Sequence, residues 1–200
     1  MADISDIDYP LTNFDIKDIY PNLPVIKYPE LANYRDIHHL TNNPYSAAII
    51  LVVHTAAGEG HGISGHWILV FMDKNNNDVV GDSVASNIPG GDVYLFDSYG
   101  KYPDRHIIDL GHERVEYDED NLYLSNMLMN DNTIRTIKYN PYQYQSKSYN
   151  VATCGKWASW RLMMYLAGIL DEKQFKRLVN DVKKKRGLKN NDEVVNLIFE

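Results

Sequence analysis

The sequence predicts an α+β domain, because strand-type segments occupy its first half and helix-type segments its last third. Residues 47–53 are a continuous run of small, apolar and β-branched residues, which favours a strand or a short helix buried on both sides. Residues 157–166 are apolar or aromatic at nearly every position, as in a helix buried over most of its surface. Together these patterns predict a sheet that packs against a buried helix.

Residues 1–45 are predicted to form an N-terminal arm that lies across the domain. Prolines interrupt any regular element in this region, and one short helix is expected near residues 31–40. The prolines are Pro10, Pro21, Pro24, Pro29 and Pro44.

Two further strands are predicted in the centre of the chain. Residues 66–72 are apolar after His66 and predict a central strand that begins at this histidine. Residues 93–96 predict a second strand, which ends at Asp97 where a turn begins. Residues 81–91 are rich in polar residues and glycine, so they predict a surface excursion inserted into a hairpin.

The C-terminal part of the chain is predicted to be mainly helical. Residues 121–130 predict a helix, and residues 134–139 predict a short strand. Asp171 is expected to cap the penultimate helix, and Asn191 or Asp192 the last one.

The length of 200 residues predicts one domain, residues 1–200, with a core at residues 47–168 and C-terminal helices at residues 171–200. No apolar run is long enough to span a membrane, and the first residues lack the pattern of a signal peptide. We therefore expect a protein that is not secreted and does not enter a membrane. Because Cys154 is the single cysteine, an internal disulfide and a cysteine-based zinc site are excluded.

The charge balance bears on the class of partner. The chain carries 27 acidic and 20 basic side chains, for a net charge of −7. This balance argues against a dedicated nucleic-acid-binding protein, which needs an excess of positive charge on one face. The densest basic cluster, residues 183–186, is interpreted as the solvated C-terminus of a helix.

Cys154 lies where the buried helix is predicted to begin. Backbone amides and the dipole of a helix N-terminus stabilise an anion, so the position favours a thiolate. Gly155 allows another group to approach the backbone closely, and the amides there can receive a developing oxyanion. The alternative is that Cys154 is a small core residue, since free cysteine is often buried.

A base and an orienting acid can be found near strand ends. If the strands that carry His66 and Asp97 are neighbours, the two side chains converge and form an Asp97–His66–Cys154 triad. Taken singly, His66 can instead be a strand-edge histidine bonded to backbone, and Asp97 a turn residue.

Four motifs in order resemble the adenovirus-type maturation proteases, also called adenain-like, and the related ubiquitin-like-protein proteases. The resemblance covers residues 47–168. Its elements are His66-Trp67 in Gly-His-Trp-Ile, Asp97 in Leu-Phe-Asp-Ser-Tyr-Gly, Gln145, and Cys154-Gly155 in Thr-Cys-Gly. The resemblance implies a mixed central β-sheet packed against a buried helix that carries the nucleophilic cysteine at its N-terminus, with further peripheral helices.

The same resemblance implies a role for each residue. Cys154 is the nucleophile, His66 the general base and then acid, and Asp97 the group that fixes the imidazole. Gln145 is the oxyanion-hole donor together with the amide of Cys154. Gln145 lies nine positions before the cysteine and Gln143 eleven, and both distances are longer than in the relatives. Gln145 is preferred because it needs the shorter loop insertion, and Gln143 is the alternative. Trp67 and Gly155 are implied to lie beside the site and to bind substrate.

The function implied by the resemblance is that of a viral cysteine endopeptidase. It would process capsid or core precursors at glycine-containing sites during virion maturation, with the loop of residues 58–65 as one wall of a narrow cleft. A deubiquitinase or ubiquitin-like-modifier protease acting on host proteins is an alternative, and a non-catalytic binding module of the same fold is a second. The expected locations are the host cytoplasm, in the virus factory, and the virion.

Polypeptide substrates are the expected partners, and the resemblance adds a DNA or peptide activator. A disulfide-linked activator is not expected, because catalysis needs the single cysteine. No cofactor or metal is predicted: His61 and His66 lie across a glycine-rich loop that does not fix ligand geometry.

Overall fold

The computed structural model describes residues 10–56, 63–73, 91–110, 121–147 and 151–200. In this part of the chain the fold is α+β, with a five-stranded mixed sheet and several helices, which confirms the predicted class. Residues 58–62 of the glycine loop predicted at residues 58–65, and most of the predicted excursion at residues 81–91, lie outside the described residues. Residues 63–65 belong to a strand and not to a loop, because they extend its pairing with the preceding strand.

The strands of the sheet are β1 (Val25–Lys27), β2 (Ala47–Ala56), β3 (Ile63–Asp73), β4 (Asp92–Asp97) and β5 (Thr136–Tyr139). The α-helices are α1 (Asn13–Ile19), α2 (Ile37–Leu40), α3 (Arg105–Leu110), α4 (Tyr123–Asn130), α5 (Cys154–Leu166), α6 (Glu172–Arg186) and α7 (Asn191–Ile198), and a 3-10 helix spans Tyr28–Asn33.

The strands lie side by side in the order of the sequence, with β3 in the middle. β2, β3 and β4 are antiparallel neighbours, whereas the edge strands β1 and β5 run parallel to β2 and β4. Their continuous apolar sequences suit a sheet that is covered on both faces. Because β3 and β4 are paired, the polar residues near their adjoining ends lie close together.

Alternate residues of β3 enter two separate hydrophobic cores. Trp67, Leu69 and Phe71 face the core that contains α5. Ile68 and Val70 face the opposite core, which contains residues of α2 and α4. This alternation follows from the two-residue period of a strand. α5 is buried from its first residue to Leu162, as its aromatic and apolar sequence predicts.

Several predicted elements need correction. The short helix expected near residues 31–40 is two separate turns, the 3-10 helix and α2, and the three-residue β1 was not predicted. β3 begins at Ile63, before the predicted start at His66. Asp171 caps α6 as predicted, but the cap of α7 is Asn190, whose side chain accepts from the Glu193 amide. Short elements give little sequence pattern, because tertiary contacts stabilise them.

Candidate active site

The structure brings His66 and Asp97 into contact. β3 and β4 are antiparallel, with Ile68 of β3 opposite Asp97 at the end of β4. From this register, Nε2 of His66 donates to Oδ1 of Asp97 across 3.0 Å. Both side chains are largely buried, with exposed fractions of 15% and 12%. The convergence that the sequence predicted on condition of neighbouring strands is therefore present.

Backbone contacts fix the Asp97 carboxylate in place. The amide of Tyr99 donates to Oδ1 of Asp97 at 2.7 Å, so the Asp97 side chain accepts a hydrogen bond from within its own turn. The side chain of Asn140 accepts from the Asp97 amide at 2.8 Å and donates to the Asp97 carbonyl at 2.7 Å. These bonds leave the carboxylate little freedom to turn away from His66.

Cys154 is the first residue of α5 and lies close to His66. Its Sγ lies 3.3 Å from the carbonyl oxygen of Gly65, to which a thiol can donate. The Cys154 side chain also interacts with the side chain of His66. Because Nε2 of His66 is hydrogen-bonded to Asp97, Nδ1 is the ring nitrogen available to the sulfur.

Two opposing effects set the charge of the imidazole. Burial lowers the pKa of His66, but the Asp97 carboxylate and Cys154 more than offset this and raise it to about 10. Burial likewise raises the pKa of Asp97, yet the His66 charge and hydrogen bond bring it below the ordinary 3.8. At neutral pH the pair is therefore an imidazolium bound to a carboxylate.

The start of α5 differs from an ordinary capped helix. Its N-cap, Thr153, makes no side-chain bond to the amides of the first turn. Its hydroxyl donates instead to Oδ1 of Asp192 at 2.6 Å. The threonine side chain therefore leaves the amides of Cys154 and Gly155 uncapped, where the helix dipole favours negative charge.

The two candidate glutamines are both engaged elsewhere. Gln145 is 2% exposed, and its Nε2 donates to the Val151 carbonyl at 2.8 Å and to the Tyr99 hydroxyl at 3.2 Å. Gln143 is exposed, and its Nε2 donates to the Gln145 carbonyl at 2.9 Å. Gln145 therefore must exchange a partner before it can donate to an oxyanion, whereas the bond of Gln143 uses one of its two N–H groups. The role of either glutamine stays a prediction.

Trp67 and Gly155 have packing roles that the predicted substrate contacts did not include. Trp67 is 1% exposed and donates through Nε1 to the Leu11 carbonyl at 2.9 Å, so its ring is packed within the fold. A Cβ on Gly155 would lie 2.9 Å from Cβ of Leu11 and 3.0 Å from Cδ1 of Trp67. The absence of a side chain at Gly155 therefore lets the helix start approach the sheet.

Sequence reasoning missed three residues that surround the site. The Tyr99 ring stacks on the His66 ring with centroids 4.7 Å apart. The side chain of Asn140 is hydrogen-bonded to both the amide and the carbonyl of Asp97, and Asp192 accepts a hydrogen bond from the N-cap residue of α5. The position of Tyr99 in the turn after Asp97 is a usable sequence signal, whereas the other two contacts span long sequence separations.

Within the described ranges, no group of three or more His, Cys, Asp or Glu side chains could hold a metal ion. His61, part of the histidine pair considered from sequence, lies outside these ranges. Among the helices of the described residues, none is both long and apolar enough to cross a membrane.

Comparison with known proteins gives a viral relative. The chain is 29% identical over 175 residues to the uncharacterized protein V9 of Sputnik virophage, across 86% of this chain and 84% of the relative. No protein-family model matches the chain. No solved structure matches it either. The relative suggests a viral protein.

Proposed function

We propose that the protein is a cysteine endopeptidase of the adenovirus type. The observation that carries the proposal is the contact series Asp97–His66–Cys154, in which a buried carboxylate holds an imidazole against a cysteine at a helix start. A nucleophile, a base and an orienting acid are the groups that this chemistry requires.

In the proposed reaction, Cys154 and His66 start as a thiolate–imidazolium pair, and the thiolate sulfur attacks the carbonyl carbon of a peptide bond. The C–S bond forms while the carbonyl electrons move to oxygen, which the amide at the start of α5 stabilises. As the C–N bond breaks, the His66 imidazolium donates its proton to the leaving amine. Water that loses a proton to His66 then hydrolyses the thioester and regenerates Cys154.

The high pKa of His66 supports the acid half of this cycle. An imidazolium that persists at neutral pH can stabilise a neighbouring thiolate and can protonate the leaving amine. Asp97 supplies the charge that keeps the proton on the ring. Gln145 is the proposed second donor to the oxyanion once one of its two present partners is displaced, and Gln143 is the alternative.

The proposed substrates are capsid or core precursors that are cut during virion maturation. The motifs of the sequence and the viral relative support this choice over host proteins. The proposed locations are the host cytoplasm during assembly and the virion.

A DNA or peptide activator is part of the same proposal. α6 carries seven basic and two acidic side chains in a chain whose net charge is −7, so positive charge is concentrated on one helix. Adding DNA to the cleavage assay tests the nucleic-acid form. A cleavage rate that DNA does not change would remove DNA as an activator.

The deciding experiment compares two substrates. The purified chain is incubated with unprocessed capsid and core precursors of its own virus, and separately with a ubiquitin-like modifier joined through its C-terminal glycines to a reporter. We expect the precursors to be cut, and Cys154→Ala and His66→Ala to abolish cleavage. Ser159→Ala, which removes a buried hydroxyl from the same helix, is the matched control and should retain cleavage.

Each result has a defined meaning. Cleavage that is unchanged in Cys154→Ala or His66→Ala would overturn the proposal. Cleavage of the modifier alone would indicate that the protein acts as a ubiquitin-like-protein protease. If neither substrate is cut, iodoacetamide at mildly acidic pH tests for a reactive thiolate, and a Cys154 that stays unlabelled would indicate a non-catalytic module.

A further inference from the structure

Asp192, the second residue of α7, joins the two segments that carry the proposed oxyanion donors. The residue is 6% exposed. Oδ1 accepts from the Thr153 hydroxyl at 2.6 Å, and Oδ2 accepts from the Ser146 amide at 2.9 Å. Thr153 directly precedes Cys154, and Ser146 directly follows Gln145. One carboxylate thus connects both ends of the segment between the glutamine and the cysteine.

The contact with Thr153 also affects the helix start. A threonine at an N-cap ordinarily accepts a hydrogen bond from an amide of the first turn. Here the hydroxyl donates to Asp192 and makes no cap bond. The contact therefore holds the threonine side chain away from amides that an oxyanion would need.

Charge and helix geometry favour a carboxylate at this position. Asp192 lies in the first turn of α7, where the helix dipole stabilises negative charge. One turn later, Asn196 accepts from Nζ of Lys156 at 2.9 Å, so α7 contacts α5 at a second polar point. Asn196 does not bind the ends of the segment, which makes it a matched control for helix packing.

We propose that Asp192 is a positioning residue that sets the distance between the Cys154 amide and Gln145, and so organises the oxyanion hole from the C-terminal helix. This inference rests on the proposed cysteine peptidase function. It assigns α7, which the sequence resemblance does not cover, a part in the chemistry.

Two reactions of the same sulfur separate positioning from general damage. Acylation by p-nitrophenyl acetate passes through a tetrahedral oxyanion, whereas alkylation by iodoacetamide does not. The ratio of the two rates at Cys154 therefore reports on the oxyanion hole. For Asp192→Ala we expect this ratio to fall about tenfold, since misplaced donors stabilise the oxyanion poorly.

The control variants are defined by the contacts. Asp192→Asn should restore the ratio, because its amide can accept from Ser146 and donate to the Thr153 oxygen. Asn196→Ala should lower thermal stability and leave the ratio unchanged. If Asp192→Ala does not fold, Thr153→Val removes only the hydroxyl bond and should lower the ratio in its place.

The outcomes distinguish this inference from the proposed function. The role of Asp192 would be overturned if folded Asp192→Ala, or its substitute Thr153→Val, kept the ratio within about twofold of wild type. The peptidase proposal would be unaffected by that result. Wild-type protein that shows neither acylation nor alkylation at Cys154 would instead overturn the peptidase proposal itself.

Discussion

The two ends of the buried part of α5 each hold a charged pair, and the pairs are built differently. At the start of α5, the His66–Asp97 pair contacts Cys154. Two turns along, Arg161 is 1% exposed and lies against Glu172. Nη1 and Nη2 of this arginine donate to the carbonyls of Ile169 and Leu170.

The difference lies in how many groups remain for a third partner. Arg161 is surrounded by acceptors and stacks between Phe71 and Phe175, so its interactions end within the fold. His66 uses one ring nitrogen for Asp97 and keeps the other for the sulfur. The bonds of the Arg161 pair all end on groups of the fold, whereas the His66 pair leaves a ring nitrogen that, in the proposed function, faces the reacting sulfur.

Among variants that keep both Cys154 and His66, Asp97→Asn should have the largest effect on catalysis. An amide cannot balance the imidazolium charge, so we expect the rate of precursor cleavage to fall about 1,000-fold with the fold retained. The rate is measured with precursor at low concentration. Asp104→Asn is the control, because Asp104 is a buried aspartate that binds Tyr28 away from the site and should leave the rate unchanged. Equal losses in both variants would contradict a special role for Asp97.

Arg161→Met should affect stability and spare the chemistry. Removal of the guanidinium leaves Glu172 and two carbonyls without their buried donor, so the free energy of unfolding should fall by about 3 kcal/mol. Urea denaturation measures this change, and iodoacetamide alkylation of Cys154 should be unaltered. Glu172→Gln keeps an acceptor and should cost about 1 kcal/mol. A loss of alkylation in Arg161→Met would mean that the two pairs are coupled.

The pH dependence of stability should report the pair at the start of α5. Since the pKa of His66 is raised from 6.5 to about 10, its stabilising charge is fully present below pH 6.5 and is lost as the pH rises towards 10. The free energy of unfolding of the wild type, relative to that of His66→Gln, should therefore fall across this window, as measured by urea denaturation. On the acid side, the lowered pKa of Asp97 preserves the pair until the pH falls below about 3.8. A flat difference between pH 6.5 and 10 would contradict the charged pair.

The smallest expected effect is that of Gly155→Ala. The new methyl would press against Leu11 and Trp67, so we expect a loss of about 1 kcal/mol in the free energy of unfolding and a small displacement of the helix start. Differential scanning calorimetry measures the loss, and the alkylation rate reports the displacement. Gly168→Ala is not a matched control, because Gly168 has a positive φ; Ala158→Gly, within the same buried helix, is the better comparison. Unchanged stability would show that Leu11 and the N-terminal arm move aside at little cost in free energy.

Much of the fold follows from residues that are close in sequence. The strand that leads to Asp97 and the capped helix after Asp171 were predicted, because strand propensity and capping are local effects. The apolar run of β2 is compatible with a strand or a short helix, and the sheet pairing decided for the strand. β1 and the cap at Asn190 were missed. β1 is only three residues long and depends on its pairing with β2, a contact that the local pattern does not encode.

The sequence by itself determined the α+β class and most of the longer elements, and it placed Cys154 at a helix start, Asp97 at a strand end and His66 in another strand. Only the tertiary structure decided that β3 and β4 pair in a register that joins His66 to Asp97, and that α7 reaches the start of α5 through Asp192. The physical reason is range: periodicity and capping act over a few residues, whereas register and buried hydrogen bonds depend on the simultaneous packing of distant segments.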